Sequence, residues 1–252
     1  MLRAVAKSTK SQKSDRKATI DALTKKQRSA ERGRGLAIVV VCVAVALVIV
    51  GAAAYRPIAN WWELRQFEDV ELASLGAPVS ACGEVETKKA EGNQEHVPEG
   101  TPVEYEQSPP AFGAHYDTPD TMARKLYAAD DRPDLRELVH NLEHGYTFVW
   151  YDETIAADDE AMTELRAVAS QFPGTDNYRY KFKAVPWTEE DGEPFPDGQH
   201  VALTHWSAGG AGNTDVSEQR GAWQYCSEFS GEALSSFMEE YPYFDSPEPN
   251  GG

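Results

Sequence analysis

Cysteine, methionine and the common catalytic motifs are scarce in this chain of 252 residues. There are three cysteines and no C-x-x-C pair, which argues against a thiol–disulfide exchange enzyme. A P-loop, a G-x-G-x-x-G loop and a G-x-S-x-G elbow are also missing, so nothing indicates nucleotide binding or a serine nucleophile. Beyond residue 54 the methionines are Met122, Met162 and Met238, and this dispersed set disfavours a copper(I) site.

Basic residues become rare after position 35. The whole chain carries a net charge of −17. The first 35 residues hold eleven lysines and arginines against three acids, a balance of +8, so the remainder carries −25. Because so acidic a surface repels phosphate backbones, the composition argues against nucleic acid as a partner.

An uncharged apolar run extends from Leu36 to Ala54, long enough for a helix to cross a bilayer. Since short basic flanks stay in the cytoplasm, residues 1–35 are predicted to be a disordered cytoplasmic tail and the acidic remainder to lie outside the cell membrane. Trp61 and Trp62 would then lie at the level of the lipid headgroups. The alternative is a signal peptide cleaved after Ala52-Ala53-Ala54, but the long run and the long basic region favour a retained anchor.

The part beyond the anchor is long enough for one domain with its own core. We predict a juxtamembrane stalk over residues 55–80, a folded domain over 81–244 and a disordered tail over 245–252. Cys82 and Cys226 form an even pair in a compartment where disulfides persist, which predicts a bond between them. Closing so long a loop could contribute about 5 kcal/mol. The alternatives are two free thiols or a redox-active pair.

Helical and strand periods alternate along this domain, which predicts an α+β fold with a small mixed or antiparallel sheet and about three helices. The expected strands are 103–106, 146–151, 178–184 and 201–206. In the third, apolar and charged residues alternate, which predicts that one face of the strand is exposed to solvent. The expected helices are Pro133–His144, stopped by Gly145, 158–172, and Gly231–Tyr241, capped by Ser230. Residues 84–100 are polar and are predicted to be a loop.

The most informative motif is His140-Asn-Leu-Glu143-His144, of the form H-x-x-E-H. On a helix whose apolar stripe is Leu135, Leu138, Val139 and Leu142, the two histidines lie four apart on the opposite face and could chelate one metal ion. Glu143 could ligate, orient an imidazole or activate water. A hydrolase of this pattern would also need a downstream acidic ligand, for which Glu228 and Glu232 are nominal candidates. The motif is short, so structural histidines are an equal alternative.

Several segments together resemble an actinobacterial family of membrane-anchored proteins, domain of unknown function 3105. The resemblance covers roughly His96 to Trp206, and its most specific segments are His96-Val97-Pro98, Tyr105, Pro109-Pro110, Gly113-Ala114-His115, 138–145 and 149–151. One position departs from the pattern, because Phe112 stands where the family has a serine. The resemblance implies location and a shared motif, and no reaction.

Position by position, the family pattern marks His96, His115, His140, Glu143 and His144 as a set. Such nitrogen and oxygen donors suit Zn²⁺ or Cu²⁺. Three functions follow as alternatives. The preferred one is a membrane-anchored domain that binds a divalent transition metal or another small ligand. The second is a metallohydrolase with Glu143 as base, and the third is a non-catalytic interaction domain of the cell envelope with structural histidines.

Overall fold

The computed structural model describes the backbone of residues 2–90 and 95–251, with side chains from residue 16 onward except Ala30 and Asn60. The chain divides into two compact units, Met1–Trp62 and Glu63–Gly252. Part of the predicted loop, residues 91–94, lies outside the described residues.

The first unit is a single helical segment. Helix α1 runs from Leu2 to Leu64, with Pro57 inside it. Its apolar run over residues 36–54 is almost entirely exposed, and the helix is long and apolar enough to span a membrane. Residues 2–35, which the sequence predicted to be disordered, continue the same helix; they contain no proline and are rich in alanine and lysine, which favour helix.

The second unit is an α+β domain, as predicted. Its helices are α2 (Leu135–Glu143), α3 (Glu153–Ala156), α4 (Asp159–Ser170) and α5 (Gly231–Glu240). Its strands are β1 (Glu86–Lys89), β2 (His96–Val97), β3 (His115–Tyr116), β4 (Thr147–Tyr151), β5 (Phe182–Pro186), β6 (Val201–Ser207) and β7 (Arg220–Cys226). Short 3-10 turns cover Arg65–Phe67, Leu72–Ser74, Val79–Ala81, Tyr178–Tyr180 and Val216–Glu218.

Five strands form a mixed sheet in the order β1-β7-β6-β4-β5. Strands β4 and β5 are parallel, and the other neighbours are antiparallel. Strands β2 and β3 form a separate two-stranded parallel ladder. The predicted disulfide between Cys82 and Cys226 is confirmed, and it ties the start of the domain to the end of β7.

Helices cover both faces of the sheet, which explains why its central strands are buried on both sides. In β4, Val149 and Tyr151 point into a core shared with α4 and α5, through residues such as Leu165 and Phe237. Their neighbours Phe148 and Trp150 point into a second core, which is shared with α2 through Leu138, Val139 and Leu142. Alternate side chains of a strand point to opposite faces, so each face needs its own apolar set.

Two strand predictions are wrong. Residues 178–184 do not form a strand with a wet face, because Tyr178–Tyr180 is a 3-10 turn and β5 is buried throughout. The charged positions are satisfied internally: Lys183 forms an ion pair with Asp120, and Lys181 donates to three backbone carbonyls. Residues 103–106 form no strand; the Tyr105 hydroxyl donates instead to the Ala114 carbonyl at 2.7 Å.

The predicted loop 84–100 contains strands β1 and β2, which is a further correction. The side chains of β1 are all exposed, so the strand depends on its pairing with β7 and has no apolar pattern of its own. The helix predictions at 158–172 and 231–241 are confirmed within two residues, including the Ser230 cap, whose hydroxyl accepts from the Ala233 amide.

Both flanks of the predicted domain lie against it. Leu75, placed in the stalk by the sequence, is buried, and Phe67 and Leu72 pack against the same core. At the other end, residues 245–251 were expected to be disordered, yet Asp245 and Ser246 are buried. The Asp245 carboxylate accepts hydrogen bonds that fix this segment to the end of β6 and the turn after it.

Candidate metal centre

The β2–β3 ladder brings the first two histidines together. Its register pairs His96 directly with His115, so both imidazoles emerge on the same side. Their ring centroids are 4.8 Å apart. His115 is fully buried, whereas the side chain of His96 keeps 39% of its exposure.

Helix α2 and its C-cap carry the other three residues of the predicted set, His140, Glu143 and His144. Its N-cap is Asp134, whose carboxylate accepts from the Arg136 amide, so Pro133 lies just before the helix and not in its first turn. The apolar stripe packs into the second core as predicted. Gly145, with φ of +88°, ends the helix, and its backbone conformation is one that glycine adopts readily.

The opposite face of α2 is buried rather than exposed. His140, Glu143 and His144 are each at most 6% exposed, because the β2–β3 ladder and the C-terminal segment cover them. Asn141 between them is held by two hydrogen bonds to the backbone of Asp120. The face of α2 opposite the apolar stripe is therefore part of the protein interior.

A hydrogen bond determines which nitrogen of His115 carries hydrogen when the ring is neutral. Its Nδ1 lies 2.8 Å from the Gly113 carbonyl, and since a carbonyl only accepts, Nδ1 must carry hydrogen. In the neutral ring the other nitrogen, Nε2, then carries no hydrogen and presents a lone pair. Nε2 lies 3.0 Å from Oε2 of Glu143.

His140 repeats this arrangement. Its Nδ1 lies 2.6 Å from the Tyr116 carbonyl and donates to it, so its Nε2 also presents a lone pair to the cluster. Histidines that bind metals usually have the second nitrogen held in this way by a carbonyl or carboxylate. Burial, opposed in part by the hydrogen bond to Tyr116, lowers the pKa of His140. The imidazole is thereby kept in the neutral form that metals require.

Glu143 lies among the imidazoles. Besides its contact with His115, Oε2 is 3.5 Å from Nε2 of His96. Burial alone would raise the pKa of Glu143, but in the metal-free site a proton on Nε2 of His115, which donates to Oε2, and the other nearby histidines outweigh burial, so the pKa is lowered and the group is ionised. The other oxygen, Oε1, is buried and has no hydrogen-bond partner among the described residues.

Four donors meet at one point. His96, His115, His140 and Glu143 each offer a ligand atom, and these atoms all lie within 4.8 Å of one another. Ligands at the usual zinc bond lengths in a tetrahedron are separated by about 3.4 Å. The contacts of Glu143 Oε2 to His115 and His96 bracket this value. The donor set of three imidazoles and one carboxylate could hold Zn²⁺ or Cu²⁺.

His144 belongs to a second, adjoining group. It could hold an ion together with Glu143 and Glu248, whose ligand atoms also lie within 4.8 Å of one another. Nε2 of His144 is 3.0 Å from Nε2 of His140 and 3.5 Å from Oε2 of Glu248. Burial, reinforced by His140, lowers the pKa of His144 to about 4.

The structure thus divides the five residues that the sequence singled out. Four form the first group, and the fifth, His144, joins Glu248, which sequence reasoning missed because it lies in a Pro- and Gly-rich tail without a recognisable motif. Among the described residues, Glu228 and Glu232 belong to neither group. Phe112, the departure from the family pattern, packs against Trp206 and Trp223.

Comparison with known protein families finds a match that contains both groups of donors. Residues 96–251 match the family described as "Protein of unknown function (DUF3105)". The match begins at the first histidine of the cluster and extends past Glu248, so it contains both groups of donors. No curated protein and no solved structure matches the chain. Because the matched region covers more than half of the sequence, the chain belongs to the DUF3105 family of proteins of unknown function.

Proposed function

We propose that this protein is a membrane-anchored metal-binding protein that holds a divalent transition metal ion, Zn²⁺ or Cu²⁺, at His96, His115, His140 and Glu143. The folded domain lies on the outer side of the cell membrane, and α1 anchors it in the lipid. Support for this sidedness comes from the +8 charge of the first 35 residues and from the disulfide between Cys82 and Cys226, since such bonds persist in oxidising compartments.

The contact between His115 and Glu143 carries the metal proposal. With Nδ1 of His115 committed to the Gly113 carbonyl, a neutral imidazole turns a lone pair towards a carboxylate oxygen 3.0 Å away. Two buried acceptors at this distance repel each other unless a cation or an additional proton lies between them. A metal ion removes this repulsion. On His140 it would replace the hydrogen bond that Nε2 accepts from Nε2 of His144, 3.0 Å away.

Burial adds to the argument. An ionised carboxylate that is 1% exposed is costly unless its charge is compensated. Three imidazoles converge on Glu143, and a divalent cation among them would supply that compensation. An ion could enter from solvent past the exposed edge of His96, because the other three ligands are buried.

The hydrolase alternative finds less support. In that reading His140 and His144 hold the ion while Glu143 serves as a free base beside it. Here Glu143 Oε2 already faces two imidazoles, which suits a ligand better than a base. The interaction-domain alternative requires a protonated His115 that forms a purely structural ion pair with Glu143.

The test uses the full-length protein in detergent, purified without a histidine-rich tag. We expect elemental analysis or titration to show bound Zn²⁺ or Cu²⁺. His96→Ala should weaken the affinity at least tenfold. His200→Ala is the matched control, since its side chain is similarly exposed (34%) and also contacts an aspartate, Asp152.

Two results would contradict the proposal. One is the absence of bound metal together with a melting temperature that neither chelator nor added Zn²⁺ changes, as expected for structural histidines. The other is equal metal affinity in wild type and His96→Ala, which would remove this ligand set.

A further inference from the structure

A second set of donors adjoins the proposed metal position and shares one residue with it. Glu143, His144 and Glu248 offer ligand atoms within 4.8 Å of one another. Glu143 also belongs to the first group, and its two oxygens differ in their surroundings. Oε2 contacts His115 and His96, whereas Oε1 is buried and unpartnered among the described residues.

The position of Glu248 does not depend on its own carboxylate. Its backbone amide donates to the Glu143 carbonyl at 3.0 Å. On the far side, Nζ of Lys181 donates to the carbonyls of Pro249 and Gly251, at 2.9 and 2.6 Å, and to that of His144 at 2.8 Å. The backbone thus holds Glu248 beside the cluster, and its carboxylate is left available.

This carboxylate is not used in an ordinary hydrogen bond to His144. The distance from its Oε2 to Nε2 of His144 is 3.5 Å, beyond the usual range for a nitrogen–oxygen hydrogen bond. It is close to the separation of about 3.4 Å expected for two ligands of one zinc ion. Without an ion, Nε2 of His144 donates to Nε2 of His140, 3.0 Å away. An ion on His140 would occupy that acceptor, and the proton of His144 could then reside on Nδ1, which is buried without a partner among the described residues, so that Nε2 becomes a ligand.

Gly251 shows how closely the C-terminal segment covers this ring. A Cβ atom at residue 251 would overlap the His144 imidazole. Glycine therefore permits the backbone to lie directly on the ring, and the segment closes this side of the cluster.

We propose that Glu143, His144 and Glu248 form a second divalent-metal position, so that Glu143 bridges two ions and the C-terminal segment contributes a ligand. The inference rests on the proposed function, since it presupposes an ion at the first position. A carboxylate with one oxygen on each of two ions is common in paired sites, where the ions are about 3.5–4 Å apart. Three protein donors also leave a coordination position for water or an external ligand.

The experiment measures the stoichiometry of Zn²⁺ binding to the full-length protein in detergent, by titration and by elemental analysis after dialysis. We expect two equivalents in wild type and one in Glu248→Gln. Because the Glu248 side chain is half exposed, this substitution should leave folding intact, which circular dichroism checks. Glu239→Gln changes an exposed glutamate outside both groups and should retain two equivalents.

Each other outcome is decisive. One equivalent in both wild type and Glu248→Gln overturns the second position and leaves the first intact. Two equivalents in both show that Glu248 is not a ligand and overturn the proposal as well. No binding in wild type overturns the proposed function together with this inference.

Discussion

Replacing Glu143 with glutamine should weaken metal binding far more than it weakens the metal-free fold. In the metal-free protein the carboxylate is buried, its Oε1 has no partner among the described residues, and its Oε2 is hydrogen-bonded to Nε2 of His115 at 3.0 Å. Glutamine has nearly the same shape, carries no charge, and can donate an N–H to Nε2 of a neutral His115. The substitution therefore exchanges a charge-assisted hydrogen bond for a neutral one.

The expected size follows from these contacts. Exchanging a charge-assisted hydrogen bond for a neutral one should lower the free energy of unfolding of the metal-free protein by about 1 kcal/mol. Loss of a direct ligand should weaken metal binding at least about 100-fold, since even supporting residues around metal ligands account for 10–100-fold. At a metal concentration 100 times the wild-type Kd, wild type gains about 2.7 kcal/mol and the variant about 0.4 kcal/mol.

Denaturant unfolding of full-length protein in detergent, with and without Zn²⁺, measures both effects. Glu137→Gln, on the same helix but outside the cluster, is the control and should respond to metal as wild type does. The reasoning is refuted if wild type and Glu143→Gln respond equally to Zn²⁺. That result would mean that the contact between Glu143 and His115 is only structural.

Three further predictions concern the scaffold, each measured by unfolding of the full chain in detergent. Leu138→Ala, at a fully buried position of α2, should lower the free energy of unfolding by about 3 kcal/mol, and an effect below 1 kcal/mol would contradict the packing described. Replacing both Cys82 and Cys226 with serine should cost about 2–5 kcal/mol, and no change would show that the bond does not form. Burial, with nearby Lys183, lowers the pKa of Lys125 to about 8, so the unfolded chain binds more protons than the folded one between pH 8 and the ordinary lysine value. The contribution of Lys125 to stability should therefore rise by about 2 kcal/mol from pH 8 to 10, and Lys125→Met should remove this part of the pH dependence.

Elements with their own local signals were predictable from the sequence. Ser230 caps α5, Gly145 ends α2, and the aromatic run in β4 forms a strand, all as predicted. These signals act within a few residues, because caps and glycine turns satisfy backbone groups locally.

Elements that depend on distant partners were not predictable. Strand β1 is a run of polar and charged residues that becomes a strand through its pairing with β7. Lys183 in β5 was expected on a solvent-exposed face, but its charge is compensated by Asp120, 63 positions away in sequence. Alternation along a strand shows that its two faces differ, and it does not show that the polar face is wet.

The site shows the same division between local and distant information. The spacing of His140, Glu143 and His144 on one helix follows from the 3.6-residue period alone. The pairing of His96 with His115 requires the β2–β3 ladder, and their inclusion in the predicted set came from the family resemblance. Glu248 had no local signal, because only its backbone contacts with Glu143 and the contacts of Lys181 with its neighbours bring it to the cluster.

The positions of the four proposed ligands also determine how an ion would reach them. His115, His140 and Glu143 are buried, and both histidines are held through Nδ1 by backbone carbonyls, so these three donors are preorganised. His96 differs, because its Nδ1 lies 3.3 Å from Asp117, a largely exposed side chain, and the strand that carries it is two residues long. An ion entering from solvent must pass the exposed edge of His96, and an ion leaving must detach from it. Since a partly exposed ligand on a short strand moves more easily than buried ones, His96 should control the rate of metal exchange, while the other three set the geometry of the bound ion.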